Sequence, residues 1–88
     1  MSWVCKFDRR ALRELNKLDP QNKRLILAYL EERIQTDADP RRFGKRLKAK
    51  LAGLWRYRVG NYRVICQIVD NEMIVLVLAV GHRKTIYE

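Results

Sequence analysis

Histidine, cysteine, proline and acid are what this 88-residue chain has little of: one His, two Cys, two Pro, and ten Asp and Glu against nineteen Lys and Arg. Each shortage removes a class of protein. One histidine with scattered acids offers no convincing metal-ligand set, and Cys5 and Cys66 are too few for a disulfide framework and lack metal spacing. Both thiols are expected to be buried and free in a cytosolic protein. The longest apolar run, residues 73 to 80, has the length of a strand and not of a membrane span. The N-terminus, Met-Ser-Trp-Val-Cys-Lys-Phe-Asp, lacks the long apolar stretch and cleavage site of a signal peptide. No Gly-rich phosphate loop or nucleophile motif occurs either. The expectation is a soluble, cytoplasmic protein with no metal, no other cofactor and no membrane partner.

What is abundant is positive charge, a formal net +9, and it is concentrated. Residues 41 to 63 hold Arg41, Arg42, Lys45, Arg46, Lys48, Lys50, Arg56, Arg58 and Arg63, nine cations without an acid, which leaves ten of each sign elsewhere. A field of that kind points to a polyanion, with nucleic acid ahead of an acidic protein and an anionic membrane. For residues 41 to 50 the alternative is a merely solvated basic loop. With 48% hydrophobic residues the rest reads as a globular chain, residues 1 to 88 forming one domain.

In chain order, residues 3 to 7 read as a short strand ended by Asp8, a good helix N-cap. Ala11, Leu12, Leu15 and Leu18 then recur at helical spacing. Asp19-Pro20 is a cap followed by proline at the first helical position, and the second helix is expected to run to about Thr36. Its apolar stripe comprises Leu27, Leu30 and Ile34, widened by Leu25, Ile26 and Tyr29. The short connection implies an antiparallel helical hairpin. Residues 37 to 52 carry no strong periodicity; Arg46 to Leu51 suggests one helical turn. Asp70-Asn71-Glu72 reads as a tight turn, and residues 73 to 80 as a central strand covered on both faces and ended by Gly81.

Residues 53 to 69 carry most of the information, because they read as two strands joined by Gly60-Asn61. Glycine first suits a type II′ loop, which needs positive φ at that position. The register follows: Val59 faces Tyr62, Arg58 faces Arg63, Tyr57 faces Val64, Arg56 faces Ile65 and Trp55 faces Cys66. Opposed residues share a face, so Arg56, Arg58, Arg63 and Gln67 lie on one side, and Trp55, Tyr57, Val59, Tyr62, Val64, Cys66 and Ile68 on the core side. Arg58 opposite Arg63 destabilises the bare sheet, and an anion relieves that cost. The fold class is α+β: two layers, an N-terminal strand and helical hairpin packed on a small antiparallel β-sheet, in the order β-α-α-β-β-β.

The pattern Gly-Leu-Trp-Arg-Tyr-Arg-Val-Gly-Asn-Tyr-Arg-Val-Ile, followed one strand later by Val-Gly-His-Arg-Lys-Thr-Ile-Tyr, resembles the RelE family of bacterial toxins. Over nearly the whole chain the element order is similar to that family's as well. The resemblance implies a toxin of a type II toxin–antitoxin system, an endoribonuclease that enters the A site of the 70S ribosome and cuts messenger RNA there. It further implies contacts to 16S ribosomal RNA, a RelB-like antitoxin that neutralises the toxin, and contact with operator DNA only through the antitoxin complex. In the family the ribose 2′-hydroxyl is the nucleophile and no metal is needed.

Carried onto this sequence, the resemblance makes Arg56, Arg58, Arg63, Arg83 and Tyr87 the catalytic set. Residues Arg41, Arg42, Lys45, Arg46, Lys48 and Lys50 are the expected RNA contacts. Transesterification at phosphorus needs a base for the 2′-hydroxyl, cations for the phosphoryl oxygens and an acid for the leaving 5′-oxygen. Arg63 is assigned to the scissile phosphate, since a guanidinium binds phosphate oxygens bidentately. Arg83 stabilises developing charge or assists the leaving group, and Tyr87 stacks on a base or orients the substrate. The best-studied members of the family have lysines where this chain has Arg56 and Arg58, and an arginine is no general base at neutral pH. His82, Lys84 and groups of the ribosome or RNA are the substitutes. ParE-like toxins of the same superfamily, which inhibit DNA gyrase without cutting RNA, are the alternative.

Overall fold

A computed structural model describes residues 1–82. Strand β1 (Val4–Phe7) hands over to helix α1 (Arg9–Asn16) at Asp8, whose carboxylate accepts from the Ala11 N–H at 2.8 Å. Asp19 does the same for α2 (Pro20–Tyr29), accepting from the Asn22 N–H at 2.9 Å, with Pro20 opening the helix. Each cap satisfies a donor that a helix start leaves without a partner.

The second helix does not stay α-helical to Thr36. A π-helical turn, Leu30–Ile34, follows Tyr29 and closes with Gln35 N–H donating to the Leu30 carbonyl. The chain is drawn off the helix by β1: Gln35 Oε1 accepts from the Cys5 N–H at 2.8 Å, and the Thr36 carbonyl accepts from the Trp3 N–H at 2.9 Å. The buried stripe is also narrower than the pattern suggests. Ile26, Leu30 and Ile34 face inward, while Leu25 and Leu27 are 48% and 38% exposed, and Leu12 on α1 is likewise exposed.

Beyond the helices come β2 (Lys45–Arg46), β3 (Trp55–Val59), β4 (Tyr62–Val69) and β5 (Ile74–His82). They form one sheet with the order β1-β5-β4-β3-β2. The architecture is α+β with two helices packed on five strands, but the sheet is mixed and not wholly antiparallel. β1 runs parallel to β5, Val4 opposite Ile74 through Phe7 opposite Val77. A whole helical layer separates β1 from the later strands in sequence, so no tight turn forces the antiparallel choice. Residues 40 to 51 are also more ordered than their sequence shows. They comprise a 3₁₀ turn, Pro40–Phe43, then β2, then a second 3₁₀ turn, Ala49–Leu51.

The core lies between helices and sheet, with Ala11, Leu15, Ile26, Leu30 and Ile34 against Tyr57, Val64, Cys66, Val75, Val77 and Val80. Tyr57 is fully buried, and its hydroxyl donates to the Pro40 carbonyl at 2.7 Å, which pins the start of the basic segment. Cys66 is buried and Cys5 half-buried, both as free thiols. Burial pushes the Cys5 thiol up to about 12 and raises Cys66 as well, which disfavours the thiolate at both. Among the described residues no helix is long and apolar enough to cross a membrane.

β5 departs from plain alternation. Ile65 lies opposite Ala79 but Cys66 opposite Val77, so Leu78 is an extra residue. Such a bulge reverses which residues face the helices. Val75 and Val77 point to the core before it and Val80 after it, while Ala79 joins Ile65, Leu47 and Leu54 in a second small cluster. The strand also continues through Gly81 to His82 instead of ending at the glycine.

Candidate nucleic-acid interface

The hairpin has the register its turn dictates: Trp55 opposite Cys66, Arg56 opposite Ile65, Tyr57 opposite Val64, Arg58 opposite Arg63 and Val59 opposite Tyr62. Gly60 has φ of +60°, and Asn61 needs no positive φ, as a type II′ loop requires. β2 adds Lys45 opposite Arg56. Directly opposed residues share a face, so Lys45, Arg56, Arg58 and Arg63 stand together on the side away from the helices.

This face is not bare. Ile65 and Ala79 emerge on it, 4% and 6% exposed, and Leu47 and Leu54 pack on them. That contact folds the basic segment back across the sheet. Between segment and sheet lies a cleft of about 440 Å³, lined by Lys45, Arg46, Lys48, Arg56, Arg58 and Arg63 with Leu47, Ala49 and Leu51. Six of its nine lining residues are cations and none is an acid. Two like charges ~4 Å apart repel by about 1 kcal/mol even at the dielectric constant of water. The arrangement therefore favours a ligand with closely spaced negative charges. A phosphodiester chain has that spacing, and guanidinium forks match its oxygens.

Not every expected residue belongs to the cleft. Arg41 turns away from it to Asp39 at 3.3 Å and Asp70 at 2.6 Å, with its guanidinium 5.7 Å from the Trp55 ring. The bond to Asp70 raises the Arg41 pKa, and Arg41 in turn holds the Asp70 carboxyl below the ordinary carboxylate range. Arg41 thus acts as a strut between the first 3₁₀ turn and the β4–β5 connection. Arg42 lies over the Phe43 ring at 4.5 Å, and Lys50 is exposed; neither lines the cleft.

His82 pairs with Tyr62 and sits edge-on to its ring at 5.7 Å. The Tyr62 hydroxyl accepts from Asn22 Nδ2 at 3.3 Å, on the helical side. His82 is therefore across the sheet from Arg58 and Arg63, because the bulge at Leu78 has shifted the alternation. Gly81 is the residue opposite Arg63. Arg83, Lys84 and Tyr87 lie outside the described residues. Among the described residues no three His, Cys, Asp or Glu side chains stand close enough to share a metal ion.

Sequence reasoning did not single out Leu47 and Leu54 as the pair that shapes the cleft. Their signal is two leucines bracketing Lys48 and Lys50, but their partners Ile65 and Ala79 are recognisable only once the strands are paired. Trp55, placed on the core face, is half-buried there and takes the Arg46 guanidinium at 5.4 Å.

Known proteins share this sequence pattern and fold. The family model for the ParE toxin of type II toxin-antitoxin systems, parDE, matches residues 5–87. Toxin RelG of Mycobacterium tuberculosis is 36% identical over 88 residues, covering 99% of this chain and 98% of that protein. The mRNA interferase toxin RelE of Escherichia coli is 29% identical over 90 residues, covering 96% and 86%. Among solved structures, the toxin-antitoxin complex RelBE2 of Mycobacterium tuberculosis superposes with a TM-score of 0.82 at 33% identity, over 93% of this chain and 91% of that one.

Proposed function

The chain belongs to the ParE toxin family of type II toxin–antitoxin systems, and within that family we propose that it acts as RelE-like toxins do, cutting messenger RNA in the ribosomal A site. The observation that carries the reading is the acid-free cleft of six cations built on the Arg58–Arg63 pair. It is supported by similarity to a toxin named an mRNA interferase.

In the proposed reaction the ribose 2′-oxygen attacks the adjacent phosphorus, the bond to the 5′-oxygen breaks, and a 2′,3′-cyclic phosphate and a 5′-hydroxyl end result. Arg63 and Arg58 hold the non-bridging oxygens as charge builds on them. Arg56, Lys45 and Lys48 seat the flanking phosphates, while Arg46, opposite Trp55 and over its ring, sits at the edge of the cleft. Arg83 serves the departing oxygen and Tyr87 the base. His82 faces away from this cleft, so the 2′-hydroxyl proton goes to Lys84 or to a group of the ribosome or messenger.

The partners of this reading are a RelB-like antitoxin, in keeping with the similarity to a toxin solved in complex with its antitoxin, and the 70S ribosome with its messenger. Operator DNA is met only through the antitoxin complex, and the setting is the cytoplasm. Primer extension on a defined messenger in a purified bacterial translation reaction tests it, with Arg63→Ala and Arg83→Ala beside wild type and a ribosome-free control. Cuts that need ribosomes, fall within the A-site codon and vanish in both variants are expected. The family model that matches carries the ParE name, which favours a second reading, inhibition of DNA gyrase. Folded wild-type protein that cuts nothing but blocks supercoiling by gyrase would decide for that one.

A further inference from the structure

We propose that Glu14 is a positioning residue for the cleft: from α1 it holds the last residues of β5 at the height where Gly81 stands beside Arg63. The proposal rests on the nuclease reading above. β1 ends at Phe7, opposite Val77, and the Asp8 N–H donating to the Val77 carbonyl is the last backbone bond on that side among the described residues. Among the described residues, β5 beyond Val77 has strand β4 on one edge only, and this is also where Leu78 bulges out of register. At that point Glu14 Oε1 accepts from the Val80 N–H at 2.8 Å, a bond between residues 66 apart in sequence.

The other carboxylate oxygen, Oε2, accepts from Arg10 Nε at 3.1 Å. The Arg10 pair is an exposed one on the same helix and adds little, so it is the bond to Val80 by which Glu14 takes the place along the edge that β1 leaves. Gly81 and His82, the next two residues, pair with Arg63 and Tyr62. The chain then runs on into Arg83, Lys84 and Tyr87, the C-terminal residues given roles in the reaction. A strand end tied along one edge and loosened by a bulge can splay, and a displacement of ~1 Å among reacting groups costs a reaction up to about 100-fold.

The test compares Glu14→Ala, Glu14→Gln and Arg10→Ala. In Glu14→Gln the side-chain amide oxygen would still accept from the Val80 N–H, whereas the amide nitrogen cannot pair with Arg10; Arg10→Ala removes the ion pair alone. Two readouts are taken on the full chain: single-turnover cleavage of ribosome-bound messenger over a range of excess toxin, and amide hydrogen exchange at Gly81 and His82. Glu14→Ala is expected to lower the maximal cleavage rate at least tenfold with the half-saturating concentration unchanged. It should also speed exchange at Gly81 and His82 tenfold while Val75 and Val77 stay protected. Glu14→Gln and Arg10→Ala are expected within threefold of wild type in both. Equal maximal rates per folded molecule for Glu14→Ala and Arg10→Ala would overturn the proposal, as would unchanged exchange at Gly81 and His82. Wild type that cuts no messenger would sink the nuclease reading instead. The role of Glu14 in placing β5 is then decided by exchange alone, supported by faster exchange in Glu14→Ala with rescue in Glu14→Gln and overturned by its absence.

Discussion

Salt dependence separates cleft cations from structural ones, because only a cation that neutralises a phosphate releases a counterion when RNA binds. For a single strand the slope of log K against log salt is about −0.7 per phosphate neutralised, so full use of the five cleft cations other than Arg46, which lies over Trp55, gives about −3.5. Raising salt from 50 to 200 mM then weakens binding about 130-fold. The double variant Lys45→Ala/Arg58→Ala should flatten the slope to about −2 and the loss over the same interval to about 20-fold. Arg41→Ala is the informative control. Its guanidinium is already engaged by Asp39 and Asp70, so its removal should leave the slope where it was, although all nine cations of residues 41 to 63 look alike in sequence. The assay is fluorescence anisotropy of a short labelled single-stranded RNA titrated with toxin at several salt concentrations. A slope that falls in Arg41→Ala and not in the double variant would refute the assignment of the cleft as the phosphate track.

Three further outcomes follow from the packing. Tyr57→Phe leaves the buried Pro40 carbonyl without its donor, which should cost about 1 kcal/mol and lower Tm by about 4–8 °C in calorimetry. Ile65→Ala empties the centre of the small cluster under Leu47 and Leu54. A cost of about 2–5 kcal/mol is expected in urea unfolding, together with faster amide exchange across residues 47 to 54. Asp70, held by Arg41 below its ordinary value of 3.8, binds its proton more readily unfolded than folded. The stability it lends is complete above pH ~4 and is lost as pH falls through its lowered folded value. Asp70→Asn should flatten the pH dependence of unfolding below about pH 4, with no effect at pH 7 on the number of protons taken up.

What the sequence by itself determined is what short-range rules govern. A two-residue loop opened by glycine fixes its flanking strands in one register, and the period of two then sends Arg56, Arg58 and Arg63 to one face and Tyr57, Val64 and Cys66 to the other. Asp8 and Asp19-Pro20 start helices for equally local reasons, since a cap and the donor it satisfies lie three residues apart. The family-like motifs sit in these legible stretches. The second helix was legible at its start and not at its end, because Gln35 and Thr36 leave the helix to bond β1, some thirty residues away.

Only the tertiary structure decided the rest, wherever one residue had several partners within its chemistry and the fold chose among them. β1 pairs with β5 in parallel because two helices intervene, a choice no local periodicity encodes. Arg41 bonds Asp70 instead of a phosphate because the turn at Pro40 and the β4–β5 connection meet in space. Leu47 and Leu54 turn a basic loop into the wall of a cleft by burying themselves on Ile65 and Ala79. A single extra residue, Leu78, carries His82 to the helical face and sets Gly81 beside Arg63. In an unbroken apolar run every residue suits either face, so only the pairing of β5 with β4 settles which way each one points.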